Sequence, residues 1–435
     1  MREMKDSGVE WIGEIPQNWN TVRLKYTLIA DKNSMKVGPF GSQLKGTDFV
    51  TEGIPVYNQR TVLDNEFDIS TAFISKEKFD TLTGFEVQPL DILITTRGTI
   101  GKIAIAPENV KQGIIHPCII KFAVNDAMIN RNLLKYIFND TTVVIEQLIL
   151  ASNATTIPVV YSEPLKNVYL PLTDLEEQER ILNFLDSKCS KIDEIIQKQQ
   201  EIIDKLKEYR LSIINEAVTQ GINPDVNMKQ SGYKWIGSIP EHWNMVYAKQ
   251  LFSQRKDRAF ENDEQLTASQ KYGVISQKEF MDIEGRQVMQ VLKGEEILKH
   301  VEKGDFVISM RSFQGGLEYS EVSGKISSAY VMLIPNRDKV YDRYYKWLFK
   351  SKKYISALQG TSNLIRDGQA LRFSNFVQVY LPSFDLDEQK QIADYLDDIC
   401  PKLDNEIEKR EKLLEKVMEY KKSLIYEVVT GKKEV

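Results

Sequence analysis

Residues 7–20 read SGVEWIGEIPQNWN, and 224 positions later residues 231–244 read SGYKWIGSIPEHWN. The two stretches agree at nine of fourteen positions and use four of the five tryptophans in the chain. A repeat of this kind constrains the architecture before any residue-level argument, because each copy must head the same structural unit. At 435 residues the chain also exceeds one ordinary core, and at about 100–200 residues per domain it divides into two or three. The two facts together predict a duplicated fold.

The repeat continues down the chain with a changing offset. DILITTRGTIGK (91–102) matches DFVISMRSFQGG (305–316) at an offset of 214, pairing Asp91 with Asp305, Arg97 with Arg311 and Gly101 with Gly315. From Tyr169 onward the offset holds at 211: VYLPLTDLEEQERI matches VYLPSFDLDEQKQI, and EYRLSIINEAVT (208–219) matches EYKKSLIYEVVT (419–430). Each half is therefore a segment of roughly 150 residues, variable in sequence and length, followed by a helical segment of roughly 45 that keeps register.

The helical segments carry a heptad seam. Leu185, Cys189, Ile192, Ile196, Gln199, Ile203, Leu206, Ile213 and Ala217 fall on steps of three and four with one gap at Arg210, and the second copy repeats the series from Leu396 through Cys400, Leu403, Ile407, Arg410, Leu414, Val417 and Leu424 to Val428. Such spacing asks for a partner helix, and two copies in one chain supply it most simply by packing antiparallel. Gln199 and Arg410 either fix the register of that pair or lie at the edge of the seam facing water. Pro401 predicts a break, with a short helix before it and a long one over 401–429, matched in the first copy by about 190–218. A helix of 29 residues is a rod of about 44 Å, which places Cys189 and Cys400 roughly 40 Å apart and unable to crosslink.

The variable segments alternate β-branched and aromatic runs with turn residues: GIPVYNQ, DILITT, KIAIA and GIIHPCIIKF in the first, YGVIS, DFVISM and SAYVMLI in the second. Each set is followed by an amphipathic stretch, NLLKYIF or YYKWLF, that reads as a helix. The W-I-G-x-I-P-x-x-W motif heads each globular segment, and its tryptophans are expected to pack against a core. The fold class is α+β: two pseudo-symmetric mixed α/β globular domains joined and spaced by two long antiparallel coiled-coil helices.

Motifs for chemistry are missing. There is no phosphate loop, dinucleotide turn, H-E-x-x-H helix or G-x-S-x-G elbow, and no Asn- or Asp-Pro-Pro-aromatic tetrapeptide of the kind amino-methyltransferases use on a flipped base. Three cysteines without a C-x-x-C pair and three scattered histidines give neither a disulfide framework nor a metal site. The first thirty residues lack the features of a secretory signal, and no run of 18 apolar residues occurs, which together predict a cytoplasmic protein with no membrane partner. A binding protein is expected, not an enzyme.

Charge points to the partner. Residues 174–218 hold 11 acids and 7 bases and residues 385–429 hold 13 and 8, so the helical segments total −9 in a chain of net −5 and the remainder is +4. The globular parts are thus mildly basic, as a polyanion-binding surface requires. Within them GPFGSQLKG (38–46), NQR (58–60), TTRGTIGK (95–102), QRKDR (254–258), SQK (276–278) and SMRSFQGG (309–316) place Arg, Lys, Gln, Asn and Ser beside turns. Arginine suits guanine and Asn or Gln suits adenine. The candidate DNA-binding residues are Ser42, Lys45, Asn58, Arg60, Arg97, Lys102, Arg255, Lys278, Arg311 and Gln314, among which Arg97 and Arg311 recur at matched places after matched strands.

With both tryptophan motifs, the Y-L-P runs, the Glu177-Gln178 and Glu388-Gln389 pairs and the long closing helices in view, the chain resembles the specificity subunits of Type I restriction-modification systems over essentially its whole length. The resemblance implies two target-recognition domains, here 1–170 and 223–381, each reading one half of a bipartite site on double-stranded DNA, with helical spacers at 171–222 and 382–435 that dock methyltransferase subunits. It places S-adenosylmethionine, ATP and magnesium on partner methyltransferase and endonuclease/translocase subunits and no cofactor on this chain. A 44 Å rod corresponds to about 13 base pairs, slightly more than one helical turn, so both readers would face the same side of the duplex. Because the variable segments differ, the half-sites should differ as well. A specificity subunit serving a fused methyltransferase and nuclease, and a coiled-coil scaffold without a DNA role, are the other readings; the positive remainder stands against the scaffold.

Overall fold

Each tryptophan motif folds into the same small hairpin: Met4–Asp6 pairs with Glu14–Pro16 and Met228–Gln230 with Ser238–Pro240, with Met4 opposite Pro16 and Met228 opposite Pro240. The computed structural model describes residues 2–31, 34–151, 159–285, 297–361 and 371–435. The chain divides into two units, Met1–Gln199 with Leu413–Val435, and Gln200–Lys412. Each unit thus contains one variable segment, one half of the first long helix and one half of the second.

In the first unit, Asn20–Arg23 pairs antiparallel with Tyr169–Leu172, so the chain enters and leaves the domain on one ribbon. Between them lies an antiparallel sheet ordered Met35–Val37, Ile119–Phe122, Ile92–Thr95, Ile103–Ile105. A second sheet is ordered Ile114–Ile115, Ile54–Tyr57, Phe73–Ile74, Phe49–Val50, its first two strands parallel. The continuous apolar run ILIT follows from burial on both faces. Ile92 and Ile94 enter a core with Leu134, Ile137 and Phe138, whereas Leu93 enters a second core with Val56, Tyr57 and Phe79.

The second unit repeats the plan. Asn244–Tyr247 pairs with Tyr380–Ser383, and the main sheet is ordered Phe252–Arg255, Val331–Pro335, Phe306–Ile308, Glu318–Tyr319. Phe306 and Ile308 face a core with Tyr345 and Phe349 on helix Asp342–Lys350, and Val307 faces a smaller one with Met332 and Val274. A hairpin, Leu266–Ser269 with Gly273–Ser276, and an antiparallel pair, Lys299–Val301 with Gly324–Ile326, complete it.

The Glu-Gln pairs explain the tryptophans. Trp19 Nε1 donates to Glu177 at 2.8 Å, and Trp243 Nε1 donates to Glu388 at 3.1 Å. Gln178 accepts from the amide of Asn130 and donates to the carbonyls of Met128 and Thr173; Gln389 accepts from Tyr341 and donates to Lys339 and Phe384. Each glutamine therefore satisfies three backbone groups beside the start of a long helix, where they have no strand or helix partner. The inner tryptophans are buried against a core.

The long helices end on the same motifs. The second one terminates at Gly431, φ 72°, whose added Cβ would lie 2.5 Å from Pro16 and 3.2 Å from Trp19; the first terminates at Gly221, φ 78°, against Trp243 and Pro240. A left-handed residue after the last turn favours glycine, and the close approach of Pro16 adds a second reason at Gly431.

The two long helices differ from expectation in extent. They run unbroken over Leu175–Gln220 and Leu386–Val429, 46 and 44 residues, so each is about 1.5 times the anticipated 29. Pro401 lies inside the second helix and does not interrupt it. Its ring is exposed, so the clash and the carbonyl it leaves unbonded fall on the solvent side while Cys400 stays buried in the seam. Within the first unit the halves pack antiparallel, with Leu185, Cys189 and Ile192 sharing a core with Leu424, Ile425 and Val428 and with Lys421 bonded to Asp193 at 2.7 Å. Within the second, Lys207 pairs with Glu411 and Arg210 with Asp404, both at 2.7 Å. Arg410 pairs with Glu406 of its own helix. Cys189 and Cys400 are free thiols.

Candidate nucleic-acid interface

In both units the second strand in chain order of the main sheet, Ile92–Thr95 or Phe306–Ile308, is preceded by a buried aspartate and followed by an arginine-bearing turn. Asp91 accepts from the amide of Gln88 and pairs with Lys121 at 2.9 Å; Asp305 accepts from the amide of Glu302 and pairs with Arg255 at 2.5 and 3.1 Å. The cation comes from the neighbouring strand in the first unit and from the strand beyond it in the second, so the pairing is retained while the residue that supplies it has moved.

Hydrogen bonds brace both turns. In the first, Gly101 N donates to Thr95 O at 2.9 Å, and the buried Thr96 hydroxyl donates to Cys118 O at 2.8 Å. In the second, Ser309 N donates to the buried Ser312 hydroxyl at 2.8 Å, and Arg311 N donates to Ser309 Oγ at 3.3 Å before the helical turn Ser312–Gly315. Arg97 and Arg311 are exposed on these frames, and neither guanidinium makes a hydrogen bond or ion pair with the described residues. Burial pushes the nearby Tyr330 phenol up, opposed by the charge of Arg311. Two guanidinium groups with no hydrogen-bond or ion-pair partner among the described residues, on hydrogen-bonded turns, suit bidentate contact with base edges or phosphates.

The other candidates fall into distinct settings. Ser42 and Lys45 are exposed ahead of the short turn Gly46–Asp48. The Asn58 side chain caps helix Gln59–Asp64, accepting from the amides of Arg60 and Thr61 and donating to Thr71. Arg60 is exposed and bonded to Asp64 at 3.0 Å. Lys102 turns inward and donates to Asn139 O. Arg255 is committed to Asp305 and Asp257. Lys278 is exposed on helix Gln277–Glu284, and Gln314 shares the Arg311 turn.

Sequence reasoning passed over two glutamines. Gln59 Nε2 donates to Thr99 O at 3.5 Å in the Arg97 turn, and Gln270 Nε2 donates to Arg311 O at 3.2 Å. They are 211 residues apart, the offset of the helical repeat, so NQR (58–60) corresponds to SQK at 269–271 and not to the identical triplet at 276–278. The arginine turns, which lie between these glutamines and the helical repeat, are 214 apart, so no constant offset in the sequence points to the pair.

A family model described as the Type I restriction modification DNA specificity domain matches residues 18–208 and again 240–416. The chain belongs to this family. Among curated specificity subunits, the type I restriction enzyme MjaVIII specificity subunit of Methanocaldococcus jannaschii is 24% identical across 96% of this chain and 93% of its own length. The provisionally named MjaX specificity subunit of the same archaeon is 26% identical across 97% and 95%. A chain solved in work on complex assembly and conformational transition of the type I R-M system has the same fold, with a TM-score of 0.68 at 15% identity over 95% of this chain and 98% of that one. The HsdS subunit from Thermoanaerobacter tengcongensis gives 0.53 at 14% identity over 96% and 98%. This specificity subunit accordingly carries two target-recognition domains, and the arginine turns lie inside the matched regions.

Proposed function

We propose that this specificity subunit reads an asymmetric bipartite sequence on double-stranded DNA, one half with each variable segment, and docks methyltransferase subunits along its long helices. The observation that carries this is the pair of exposed arginines, Arg97 and Arg311, without a partner among the described residues, on hydrogen-bonded turns at the same place in two units that otherwise differ in sequence. Repetition of the frame with divergence around it is what two readers of unlike half-sites require. Residues 1–170 and 223–381 act as the readers, and 171–222 and 382–435 as the helical spacers. Ser42, Lys45, Arg60, Lys278 and Gln314 support the arginines by phosphate or base contact, whereas Asn58, Lys102 and Arg255 act mainly within the fold.

The chain itself is non-catalytic and holds no cofactor. Adenine methylation belongs to the methyltransferase subunits, which supply S-adenosylmethionine, and cleavage to an endonuclease/translocase subunit with ATP and magnesium, in the cytoplasm. Among the described residues no helix is long and apolar enough to cross a membrane. For docking, the helices offer apolar side chains on faces away from the seam: Ile202 and Tyr209 in the second unit, and their repeat equivalents Leu413 and Tyr420 in the first, are all exposed. The same pair of positions in both copies suits two copies of one partner.

The test is co-expression with a methyltransferase subunit in a host lacking adenine methylation, followed by sequencing of methylated adenines in the host genome. A two-part asymmetric motif is expected, and Arg97→Ala relaxes one half while the other stays intact. A continuous motif, or equal loss at both halves, overturns the reading.

A further inference from the structure

Both arginine turns are held from outside by a glutamine. Gln59 opens the helix after strand Ile54–Tyr57, and its amide lies against Gly98, where an added Cβ would sit 3.3 Å from Nε2. Gln270 lies in the turn between Leu266–Ser269 and Gly273–Ser276, and its amide lies on Gly315, where a Cβ would meet Nε2 at 2.4 Å and Cδ at 2.5 Å. In each unit the glutamine donates to a backbone carbonyl of the turn, Thr99 in one and Arg311 in the other. The secondary structure that delivers the glutamine differs, a helix start in one case and a hairpin turn in the other. The contact persists across that change.

We infer that Gln59 and Gln270 are specificity-determining positioning residues, each fixing the direction in which the adjacent arginine leaves its turn and hence which base edge that arginine meets. The inference rests on the DNA-reading function proposed above. A side-chain amide bonded to a turn carbonyl restrains the turn, at the arginine's own carbonyl for Arg311 and at Thr99, two residues beyond Arg97, in the first unit, and a bidentate contact with guanine tolerates little misdirection. Gly315 is part of the device: its φ is ordinary for any residue, so the reason for glycine there is the amide of Gln270 lying on its Cα.

The experiment uses the full chain co-expressed with a methyltransferase subunit, with methylated adenines in host genomic DNA as the readout. Absence of any two-part motif from the unaltered chain defeats the functional reading and ends the test there. Given a motif, Arg311→Ala marks the base pair that Arg311 reads. Gln270→Ala is expected to relax that same base pair, lowering discrimination about five-fold, as loss of one neutral hydrogen bond allows. The double variant should be no worse than Arg311→Ala alone, because both changes act through one contact. Gly315→Ala should reproduce Gln270→Ala by displacing the amide, with thermal unfolding unchanged in both single variants. Relaxation at a different base pair, additive losses in the double variant, or full discrimination in Gln270→Ala each overturns the inference.

Discussion

Arg255→Ala tests whether this guanidinium belongs to the fold or to the proposed DNA surface. Its Nε and Nη2 reach both oxygens of Asp305, and the two side chains are 16% and 2% exposed. Without Arg255, Asp305 keeps one donor, the amide of Glu302 at 3.0 Å, and becomes a buried carboxylate with no counter-charge. Removing one partner of such a pair costs about 3–5 kcal/mol. At roughly 2–4 °C per kcal/mol for a unit of this size, the unfolding temperature of the unit spanning Gln200–Lys412 should fall by about 6–20 °C. Differential scanning calorimetry measures it. Arg255→Lys should fall less, since Lys121 serves Asp91 in the first unit with a single ammonium at 2.9 Å. An unchanged unfolding temperature for Arg255→Ala, together with a relaxed methylation motif, would refute the assignment and return Arg255 to the DNA surface.

Three further outcomes are expected. His300 is buried between Asp263 at 2.8 Å and Glu302 at 2.9 Å; burial lowers its pKa, but the bonds to Glu302 and Asp263 outweigh it and leave the value raised above 6.5. Stability from this group is therefore full below 6.5 and lost as pH rises through the folded value, so thermal unfolding scanned from about pH 6 to about pH 9 should show a decline that His300→Asn removes. Gly431→Ala forces a left-handed alanine, at roughly 1–2 kcal/mol, and drives its Cβ into Pro16, so it should destabilise more than Gly221→Ala, whose neighbours begin at 3.5 Å; chemical denaturation of the two variants compares them. Pro401→Ala restores a helix hydrogen bond on an exposed face and should stabilise the chain to urea by about 1–3 kcal/mol.

What was legible in the sequence was periodic. The runs ILIT, FVI and VMLIP became strands because they are buried on both faces, and NLLKYIF and YYKWLF became helices because one face alone is apolar. The heptad seam names both long helices but not their N-terminal extent, because Pro401 reads as a break, whereas its exposed ring lets the helix run through it. The frame of the candidate site is legible only where the repeat is strict. Arg97 and Arg311 follow matched strands and could be paired by eye, whereas Gln59 and Gln270 sit on different secondary structure and share only a residue type and an offset. The Arg255–Asp305 pair was not legible, because residue type alone cannot distinguish a cation aimed at phosphate from one aimed at a buried aspartate.

The make-up of the first unit bears on how the protein is made. Trp19 and Ile12 share a core with Leu424, Ile425 and Val428, and the unit is complete only when Leu413–Val435 joins Met1–Gln199. At translation speeds of about 5–20 residues per second, the 214 positions from Gln199 to Leu413 take roughly 10–40 s to emerge. Until Leu413–Val435 has emerged, Leu185, Cys189 and Ile192 lack Leu424, Ile425 and Val428, the side chains that complete their core.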